Sequence, residues 1–440
     1  MAIQYIQIFR KNWVIILFIT LISHSLTAQT LKNDFIEGKT NFPILAWDFL
    51  GSPDYSLKDV SECNFTIAGF IRPYDLNRVE EHGLQAIVDM DLNNWGTSLH
   101  RRIWRNLSDE EIDSRIRLLI ENSGKSEAII GYFIMDEPSV LDFPYLGKAV
   151  KAVKKYAPDK LAYINLFPNY ATLSSIDKMN SQLGTKTYTE YLERFVNEVK
   201  PQFISYDNYM VQYSMDLKEE KRAISYFTNL LEVRRVALKY NLPYWNIVSS
   251  HQVRKNTTIP SLANMLFQAY TSLAAGYKGI SWYQYNQNGY NYSPINKEQE
   301  KTSTWFYLKE VNRQILSLGP LINQLTSTGV YFTPSFLSYD FPTLPGEIVD
   351  SLNCDAPMMI GEFIDNKDNR YAMIVNLNLD RSVKFTLSTK SGKENIFLII
   401  PSNRNDHLPL VRKNDMNNHN DNYWLTAGEG ILIKFENDNH

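Results

Sequence analysis

Two adjacent carboxylates, Asp136 and Glu137, stand where an apolar stretch of the sequence ends. Residues 129–138 read IIGYFIMDEP, and the first seven have the continuous apolar character of a strand buried on both faces. The carboxyl ends of such strands carry the active-site residues of α/β barrels and open α/β sheets, so the pair is a candidate for general acid–base chemistry. A purely structural interpretation is also open, in which Asp136 caps the next turn and Glu137 is solvated.

Polar and aromatic residues also end most of the other predicted strands. These residues are Asp48, Arg72, Asp89 with Asp91, Asn165, Asp207 with Asn208 and Tyr209, Ser249 with Ser250 and His251, and Trp282 with Gln284 and Asn286. Each of these residues, taken alone, could simply cap the turn that follows its strand. Together, acids, amides and aromatic rings suit the hydroxyl groups and flat faces of sugars. We therefore predict a carbohydrate site, with Asp207 as a further catalytic candidate and with substrate-binding candidates Asp48, Asn165, Tyr209, His251 and Gln284.

The elements that would bring these residues together alternate regularly along the chain. Eight apolar runs are separated by helices or helix-sized gaps, which predicts a (β/α)8 TIM barrel. A doubly wound open sheet is the alternative, but no Gly-rich phosphate loop follows any of the runs. The predicted strands are 43–49, 65–71, 84–90, 129–138, 161–167, 203–210, 244–250 and 279–285, and the last predicted helix, 297–318, is closed by Gly319 and Pro320.

The pattern changes after about residue 326, where short alternating segments follow one another without helices. This favours a small all-β sandwich. We therefore predict three parts: a signal peptide at 1–28, a catalytic barrel at 29–325 and a C-terminal β-sandwich at 326–440. We expect the β-sandwich to buttress the barrel.

The first 28 residues have the features of an export signal. Arg10 and Lys11 precede an apolar run that is too short to span a bilayer, and small and polar residues lead to a cleavage site near Ala28. We expect a secreted or periplasmic protein that keeps no membrane-spanning segment. Removing residues 1–28, with two basic and no acidic residues, leaves 43 basic and 48 acidic residues and a formal net charge of −5. The absence of a basic stripe argues against nucleic acid as a partner.

The sequence argues against a metal site, a disulfide bond and a nucleophilic serine. The chain has seven histidines without paired metal-ligand spacing, so no metal is expected, and no motif indicates a cofactor. Cys63 and Cys354 are its two cysteines, and two free thiols are favoured over one disulfide. No G-x-S-x-G motif is present. Trp95 and Trp104, in the long third loop, are more easily explained by packing than as a sugar platform.

The order of strands, the D-E-P after strand four, the Y-D-x-Y at strand six and the S-W-Y at strand eight resemble TIM-barrel glycoside hydrolases. The resemblance covers roughly residues 40–325 and is to the clan of retaining β-glycosidases that includes the β-galactosidases. It implies that Glu137 is the general acid/base and that Trp282 lines the sugar subsite. Asp136 stands where the clan has Asn, and either residue can bind a substrate hydroxyl.

One departure from the clan leaves three hypotheses open. Strand seven ends in Ser249-Ser250-His251-Gln252, where a retaining enzyme of the clan has its nucleophilic Glu. Another carboxylate could serve instead, with Asp207 best placed, then Asp89 or Asp91, or Asp136. Alternatively, Asp136 and Glu137 could resemble the pair of substrate-assisted β-N-acetylhexosaminidases, in which the Asp orients the acetamido group. The third hypothesis is a non-catalytic sugar-binding barrel that serves glycan uptake.

Overall fold

The computed structural model describes residues 42–50, 55–89, 104–171, 181–213, 219–333, 338–402, 409–414 and 423–437. Eight parallel strands in this part of the chain form a closed barrel, in which β1 pairs with both β2 and β8. They are β1 (Ile44–Phe49), β2 (Ile67–Ile71), β3 (Gln85–Val88), β4 (Ile129–Asp136), β5 (Leu161–Leu166), β6 (Ile204–Asp207), β7 (Tyr244–Ser249) and β8 (Gly279–Tyr283). The predicted barrel is confirmed. The predicted signal peptide lies outside the described residues.

Helices surround the barrel and cover the outward face of its strands. They are α1 (Tyr55–Glu62), α2 (Leu76–Glu81), α3 (Asp109–Ser123), α4 (Phe143–Tyr156), α5 (Tyr188–Arg194), α6 (Met210–Tyr213), α7 (Glu220–Lys239), α8 (Leu262–Ala274) and α9 (Ser303–Gln324). Helix α3 begins with a complete capping box, in which Ser108 accepts from the Glu111 amide and the Glu111 carboxylate accepts from the Ser108 amide. Among the described residues, none of the helices has the length and apolar character that a membrane span requires.

The barrel interior is packed with large side chains rather than open. Aromatic rings dominate it, with Trp47 against Phe70 and Phe133, and Trp245 against Phe203. Successive strand residues point to opposite faces, so this interior takes alternate residues and the helix layer takes the others. The filled interior leaves the carboxyl ends of the strands as the place where a ligand can bind.

Two antiparallel sheets follow the barrel and confirm the predicted sandwich. The larger has the order β15-β14-β17-β12-β11-β9 and the smaller β10-β13-β16, with an apolar core between them. The strands are β9 (Thr326–Phe332), β10 (Val349–Cys354), β11 (Met358–Ile364), β12 (Arg370–Asn376), β13 (Val383–Thr389), β14 (Glu394–Ile400), β15 (Leu410–Asn414), β16 (Tyr423–Leu425) and β17 (Gly430–Asn437). The alternating segments predicted as strands are 329–337, 358–363, 371–377, 383–387, 396–400 and 430–435. Strands β10, β15 and β16 were not predicted, because they are short or largely polar.

Helix α8 joins the two parts. It is buried on every side from Asn264 to Ala274, with the barrel on one side and the larger sheet on the other. The sheet approaches so closely that a Cβ at Gly361 would overlap the Ala274 carbonyl oxygen, and one at Gly430 would meet the Tyr270 ring. The β-sandwich therefore packs on the barrel through a glycine-lined face.

The prediction for the last barrel helix was wrong at both ends. Helix α9 begins at Ser303 and continues through Gly319 and Pro320 to Gln324. The apolar face continues past the proline to the buried Ile322, and burial outweighs the local cost of a proline in a helix. Gly319 serves packing instead, because a Cβ there would overlap the Phe42 side chain.

Candidate active site

The end of β4 forms a fixed turn at the mouth of the barrel. The Glu137 amide donates to the Asn165 carbonyl oxygen over 2.8 Å, and the Tyr191 hydroxyl donates to the Pro138 carbonyl oxygen over 2.7 Å. Glu137 has a φ of 47°, in the left-handed region that a residue with a long side chain enters only at a cost of about 1–2 kcal/mol. The chain thus holds Glu137, half-buried, in an uncommon backbone conformation at the candidate site.

A register irregularity in β4 determines which of the two acids faces the barrel axis. Phe133 points into the interior, and the pairing with β5 shifts between Phe133 and Met135. Such a shift reverses the alternation of the following residues, so Asp136 comes to the inner side together with Asn165, its register partner on β5.

Asn165 joins two acids that are far apart in sequence. Its amide nitrogen donates to Asp136 Oδ1 and to Asp207 Oδ1, each over 3.0 Å. Two bonds of 3.0 Å from one nitrogen place these oxygens within about 6 Å of each other, and trigonal amide geometry gives about 5 Å. Ser205 Oγ donates to Asn165 Oδ1 over 3.2 Å and fixes the orientation of the amide. Asn165 and Asp207 are both buried, so this cluster is rigid and largely desolvated.

The negative charges of Asp136 and Glu137 affect tyrosines in different parts of the molecule. The carboxylate of Asp136 helps to raise the pKa values of Tyr163 and Tyr209, for both of which burial is the main cause. The carboxylate of Glu137 acts instead on Tyr191, which lies in the helix layer and whose pKa is raised mainly by burial. Asp136 is therefore the member of the pair nearer to the inner side of the mouth.

Asp48 anchors the loop after β8. It is buried, and its carboxylate accepts from the Phe49 amide over 2.8 Å and from the Asn286 amide over 2.7 Å. Burial raises its pKa to about 6, and the hydrogen bonds from Asn286, Phe49 and Gln284 oppose that rise. We conclude that Asp48 positions the β8 loop, while Gln284 connects to it through its side chain.

His251 occupies the end of β7 and is almost completely buried. Its Nδ1 lies 3.0 Å from the Gln284 amide nitrogen and 2.8 Å from the Tyr283 carbonyl oxygen, and its ring packs 4.1 Å from that of Tyr290. Burial lowers its pKa to about 4, so the imidazole is neutral at pH 7. A neutral, enclosed ring braces β7 against the β8 loop.

Three tyrosine rings line the mouth between β6 and the β8 loop. Tyr209 and Tyr283 are stacked with ring centroids 5.3 Å apart, and Tyr283 meets Tyr290 edge-on at 5.8 Å. The hydroxyl oxygens of Tyr283 and Tyr290 are 3.1 Å apart. Tyr209 was predicted from the sequence, but Tyr283 and Tyr290 were missed, although Tyr283 belongs to the S-W-Y sequence.

The prediction that Trp282 lines the sugar subsite is wrong. Its side chain is completely buried in the layer between barrel and helices, and its Nε1 donates to Asn312 Oδ1 of α9 over 2.9 Å. Adjacent strand residues face opposite sides, so the residue that faces the interior is Tyr283.

The remaining candidates have structural positions or are not described. Trp104 is buried and donates to the Ile134 carbonyl oxygen over 3.1 Å, which agrees with the packing role. Asp89 is buried at the end of β3, whereas Asp91 and Trp95 lie outside the described residues. Cys63 and Cys354 are both free thiols. Within the described ranges, no group of three or more His, Cys, Asp or Glu side chains could hold a metal ion.

No family model matches the chain, and no curated protein matches it in sequence. Among solved structures, it is similar to β-galactosidase from the psychrophilic Marinomonas ef1, with 8% identity and a TM-score of 0.48 over 65% of this chain and 62% of that one. It is also similar to a GH5_18 protein from Streptomyces cattleya in complex with Manβ1-4GlcNAc, with 12% identity and a TM-score of 0.44 over 62% of this chain and 80% of that one. The chain thus spans less than two thirds of that β-galactosidase. At these identities the similarity concerns the fold alone.

Proposed function

We propose that the protein is an exported glycoside hydrolase that cleaves an oligo- or polysaccharide at the mouth of its barrel. The observation that carries this proposal is the Asn165 bridge, which holds Asp136 and Asp207 about 5 Å apart beside the Glu137 turn. Two carboxylates joined by one amide next to a third acid can supply the proton donor and the second acidic group that glycoside hydrolysis requires. Export is supported by the sequence features of residues 1–28.

Glu137 acts in this proposal as general acid/base, and Asp207 or Asp136 is the second acidic group. A protonated carboxyl donates its proton to the leaving oxygen as the bond from the anomeric carbon to that oxygen breaks. The second carboxylate stabilises or attacks the anomeric carbon, and water then supplies the hydroxyl group of the product and returns the proton to the acid. The inward position of Asp136 makes it the competitor of Glu137 for the acid role.

The groups around these acids fit a sugar. The stacked Tyr209 and Tyr283 rings offer flat apolar faces, and the carboxylates of Asp136 and Asp207 can accept hydrogen bonds from hydroxyl groups. Gln284 Oε1 is buried without a hydrogen-bond partner among the described residues. A buried acceptor without a donor costs free energy because it has lost its hydrogen bonds to water. The hydroxyl group of a bound sugar can supply the missing hydrogen bond.

The test compares Glu137→Gln with Glu127→Gln, which changes an exposed residue just before the opposite end of β4. We expect Glu137→Gln to lower kcat about 10²- to 10⁴-fold on a glycan that the wild type cleaves, because a neutral amide cannot transfer the proton. Binding of that glycan and the thermal unfolding midpoint should be retained, and Glu127→Gln should match the wild type.

Two further variants separate the roles within the acid cluster. Asp207→Asn should also cause a large loss of kcat if Asp207 is the second acidic group, whereas a loss of merely a few-fold moves that role to Asp136. Wild-type turnover in Glu137→Gln together with a large loss in Asp136→Asn would assign the acid to Asp136 and refute its assignment to Glu137.

The second candidate function is a sugar-binding barrel without hydrolytic activity. The end of β7 favours it, because a buried neutral His251 and Ser249 stand where the clan has its nucleophile. This candidate predicts saturable glycan binding with no release of reducing sugar by the wild type. If hydrolysis occurs solely on glycans with an N-acetyl group, the substrate-assisted mechanism of the Asp136–Glu137 pair is supported instead.

A further inference from the structure

The two sheets of the β-sandwich differ in width, which leaves one side of the sandwich open. The larger sheet has six strands and the smaller has three. Strand β15 forms an edge of the larger sheet, and none of its described residues belongs to the apolar core between the sheets. Leu410 and Val411 of β15 are both exposed. The sandwich is therefore open along β15.

A cleft of about 290 Å³ lies at this open side, between β14, β15, β16 and the start of β17. Binding sites for small ligands have volumes of about 300–1,000 Å³ and combine apolar walls with a few polar groups. The cleft has such a lining, of apolar, aromatic and charged residues, among them Leu398, Ile400, Ile431, Trp424, Arg412 and Glu429. We call it the open-edge cleft, and its size suits one small group of a ligand.

Strand register places Arg412 on the cleft side of β15. Arg412 is the partner of Leu398 on β14, and Leu398 packs against the core between the two sheets. Directly opposite residues of an antiparallel pair share one face of the sheet, so Arg412 lies on the inner face, beyond the edge of the core. It makes no hydrogen bond or ion pair with any described residue. A guanidinium group in this position can bind a carboxylate or sulfate through two parallel hydrogen bonds.

Glu429 and Trp424 add groups that suit a sugar ring. The Glu429 carboxylate accepts from the Thr426 amide over 2.8 Å and from the Thr426 hydroxyl over 2.9 Å. Both bonds go to Oε2, so Oε1 can accept from a hydroxyl group of a ligand. The Trp424 side chain is 65% exposed, and Nζ of Lys384, its register partner on β13, lies 5.8 Å from the centre of its ring. The cleft therefore offers a flat apolar ring, a hydrogen-bond acceptor and two cations.

We propose that the open-edge cleft binds one acidic sugar unit of a polysaccharide, whose carboxylate or sulfate group pairs with Arg412. The ligand carries hydroxyl groups as well as negative charge, because Glu429 can bind only a hydrogen-bond donor. The formal net charge of the whole chain is −3, so the cations at this cleft are a local feature that favours an acidic sugar over a neutral one.

The proposal goes beyond the proposed function, because it concerns the β-sandwich and does not depend on hydrolysis at the barrel. Helix α8 packs on the other face of the larger sheet, against β11, β12 and β17. Binding at the open-edge cleft and buttressing of the barrel therefore use different surfaces of the β-sandwich.

The test is a calorimetric titration of the full-length protein with trigalacturonic acid, a sulfated galactose trisaccharide, the neutral galactose trisaccharide and triglutamate. We expect at least one acidic trisaccharide to bind more tightly than the neutral one and than triglutamate. Arg412→Gln should weaken that binding about tenfold or more. Lys413→Gln is the matched control, because it removes the same charge from β15, whereas Lys413 is the partner of Phe397 and lies on the opposite face. It should bind like the wild type, and Trp424→Ala should bind more weakly.

Equal losses of affinity in Arg412→Gln and Lys413→Gln would show that net charge, and not the cleft, binds the ligand, and would overturn the proposal. So would binding of neither acidic trisaccharide, or binding of the neutral trisaccharide or triglutamate with equal affinity. Binding of only the carboxylated or only the sulfated trisaccharide, weakened by Arg412→Gln, supports the proposal and identifies the acidic group.

Turnover separates this site from the barrel. Arg412→Gln should hydrolyse any aryl glycoside that the wild type cleaves at the wild-type rate and should have the same thermal unfolding midpoint. A protein without hydrolytic activity that still binds an acidic trisaccharide through Arg412 would support the open-edge cleft and reject the glycosidase. Hydrolysis by a protein in which Arg412→Gln changes no binding would do the reverse.

Discussion

Replacement of Asn165 tests whether this residue holds two acids together. In Asn165→Ala, the carboxylates of Asp136 and Asp207 each lose the hydrogen bond that they accept from Asn165. Ser205 Oγ also loses a neutral acceptor, as Ser272 Oγ loses a neutral partner in the control described below. Hydrogen bonds to carboxylates contribute about 1.5–3 kcal/mol each, so the loss of two lowers the free energy of unfolding by about 3–6 kcal/mol. Two carboxylates about 5 Å apart also repel each other by about 3 kcal/mol at an effective dielectric constant near 20, and the bridging amide no longer offsets this repulsion.

Asn246→Ala is the matched control. Asn246 is a fully buried asparagine on β7 of the same barrel, but its side-chain amide donates to a neutral group, Ser272 Oγ, over 2.9 Å. Both variants remove the same atoms from a buried position, and the control loses one neutral hydrogen bond of about 1 kcal/mol. We therefore expect Asn165→Ala to be less stable than Asn246→Ala by about 3 kcal/mol at pH 7.

Urea unfolding followed by tryptophan fluorescence at pH 7 and at acid pH measures this difference. At acid pH, one carboxyl of the unbridged pair takes up a proton and can donate to the other, so the difference should shrink. Equal stabilities of the two variants at pH 7, or a difference that does not change with pH, would refute the idea that Asn165 bridges two charged acids.

Two further predictions concern a buried acid and the packing of the β-sandwich. Because burial raises the pKa of Asp48 from 3.8 to about 6, its contribution to stability is present below pH 4 and lost as the pH rises through 6. The stability of the wild type relative to Asp48→Asn should thus fall by about 2 kcal/mol between pH 4 and 7 in urea titrations, and a constant difference would contradict this. Gly361→Ala should lower the thermal unfolding midpoint more than Gly392→Ala, because a Cβ at Gly361 overlaps the Ala274 carbonyl oxygen, whereas one at Gly392 meets no atom and suffers only its positive φ. Equal midpoints would show that the sheet can shift on α8.

The sequence predicted the barrel because its signal is repeated eight times. Each strand is a compact apolar run, and such runs are recognisable even where their ends are displaced by a few residues. The β-sandwich was predicted less completely, since β10 has exposed positions and β16 has three residues. Helix α9 was predicted to stop at Pro320, because a local rule cannot include the burial of Ile322 beyond it.

The candidate site was predicted in its residue types but not in its arrangement. Asn165, Asp207 and Tyr209 were each predicted separately at strand ends, and nothing in the sequence indicates that one amide joins Asp136 to Asp207. Tyr290 was missed because it lies in a loop, where no period relates a residue to the barrel axis. His251 was predicted as a substrate-binding candidate, whereas its burial makes it a brace.

The sequence by itself determined that acids, amides and aromatic residues lie at the ends of eight buried strands. Only the tertiary structure decided which of two neighbours faces the mouth. Strand residues alternate between two faces, so a shift by one residue exchanges Trp282 for Tyr283. The irregularity between Phe133 and Met135 likewise turns Asp136 to the inner side and leaves Glu137 in a left-handed turn at the rim. That irregularity arises from pairing with β5, a contact that no local pattern in β4 contains.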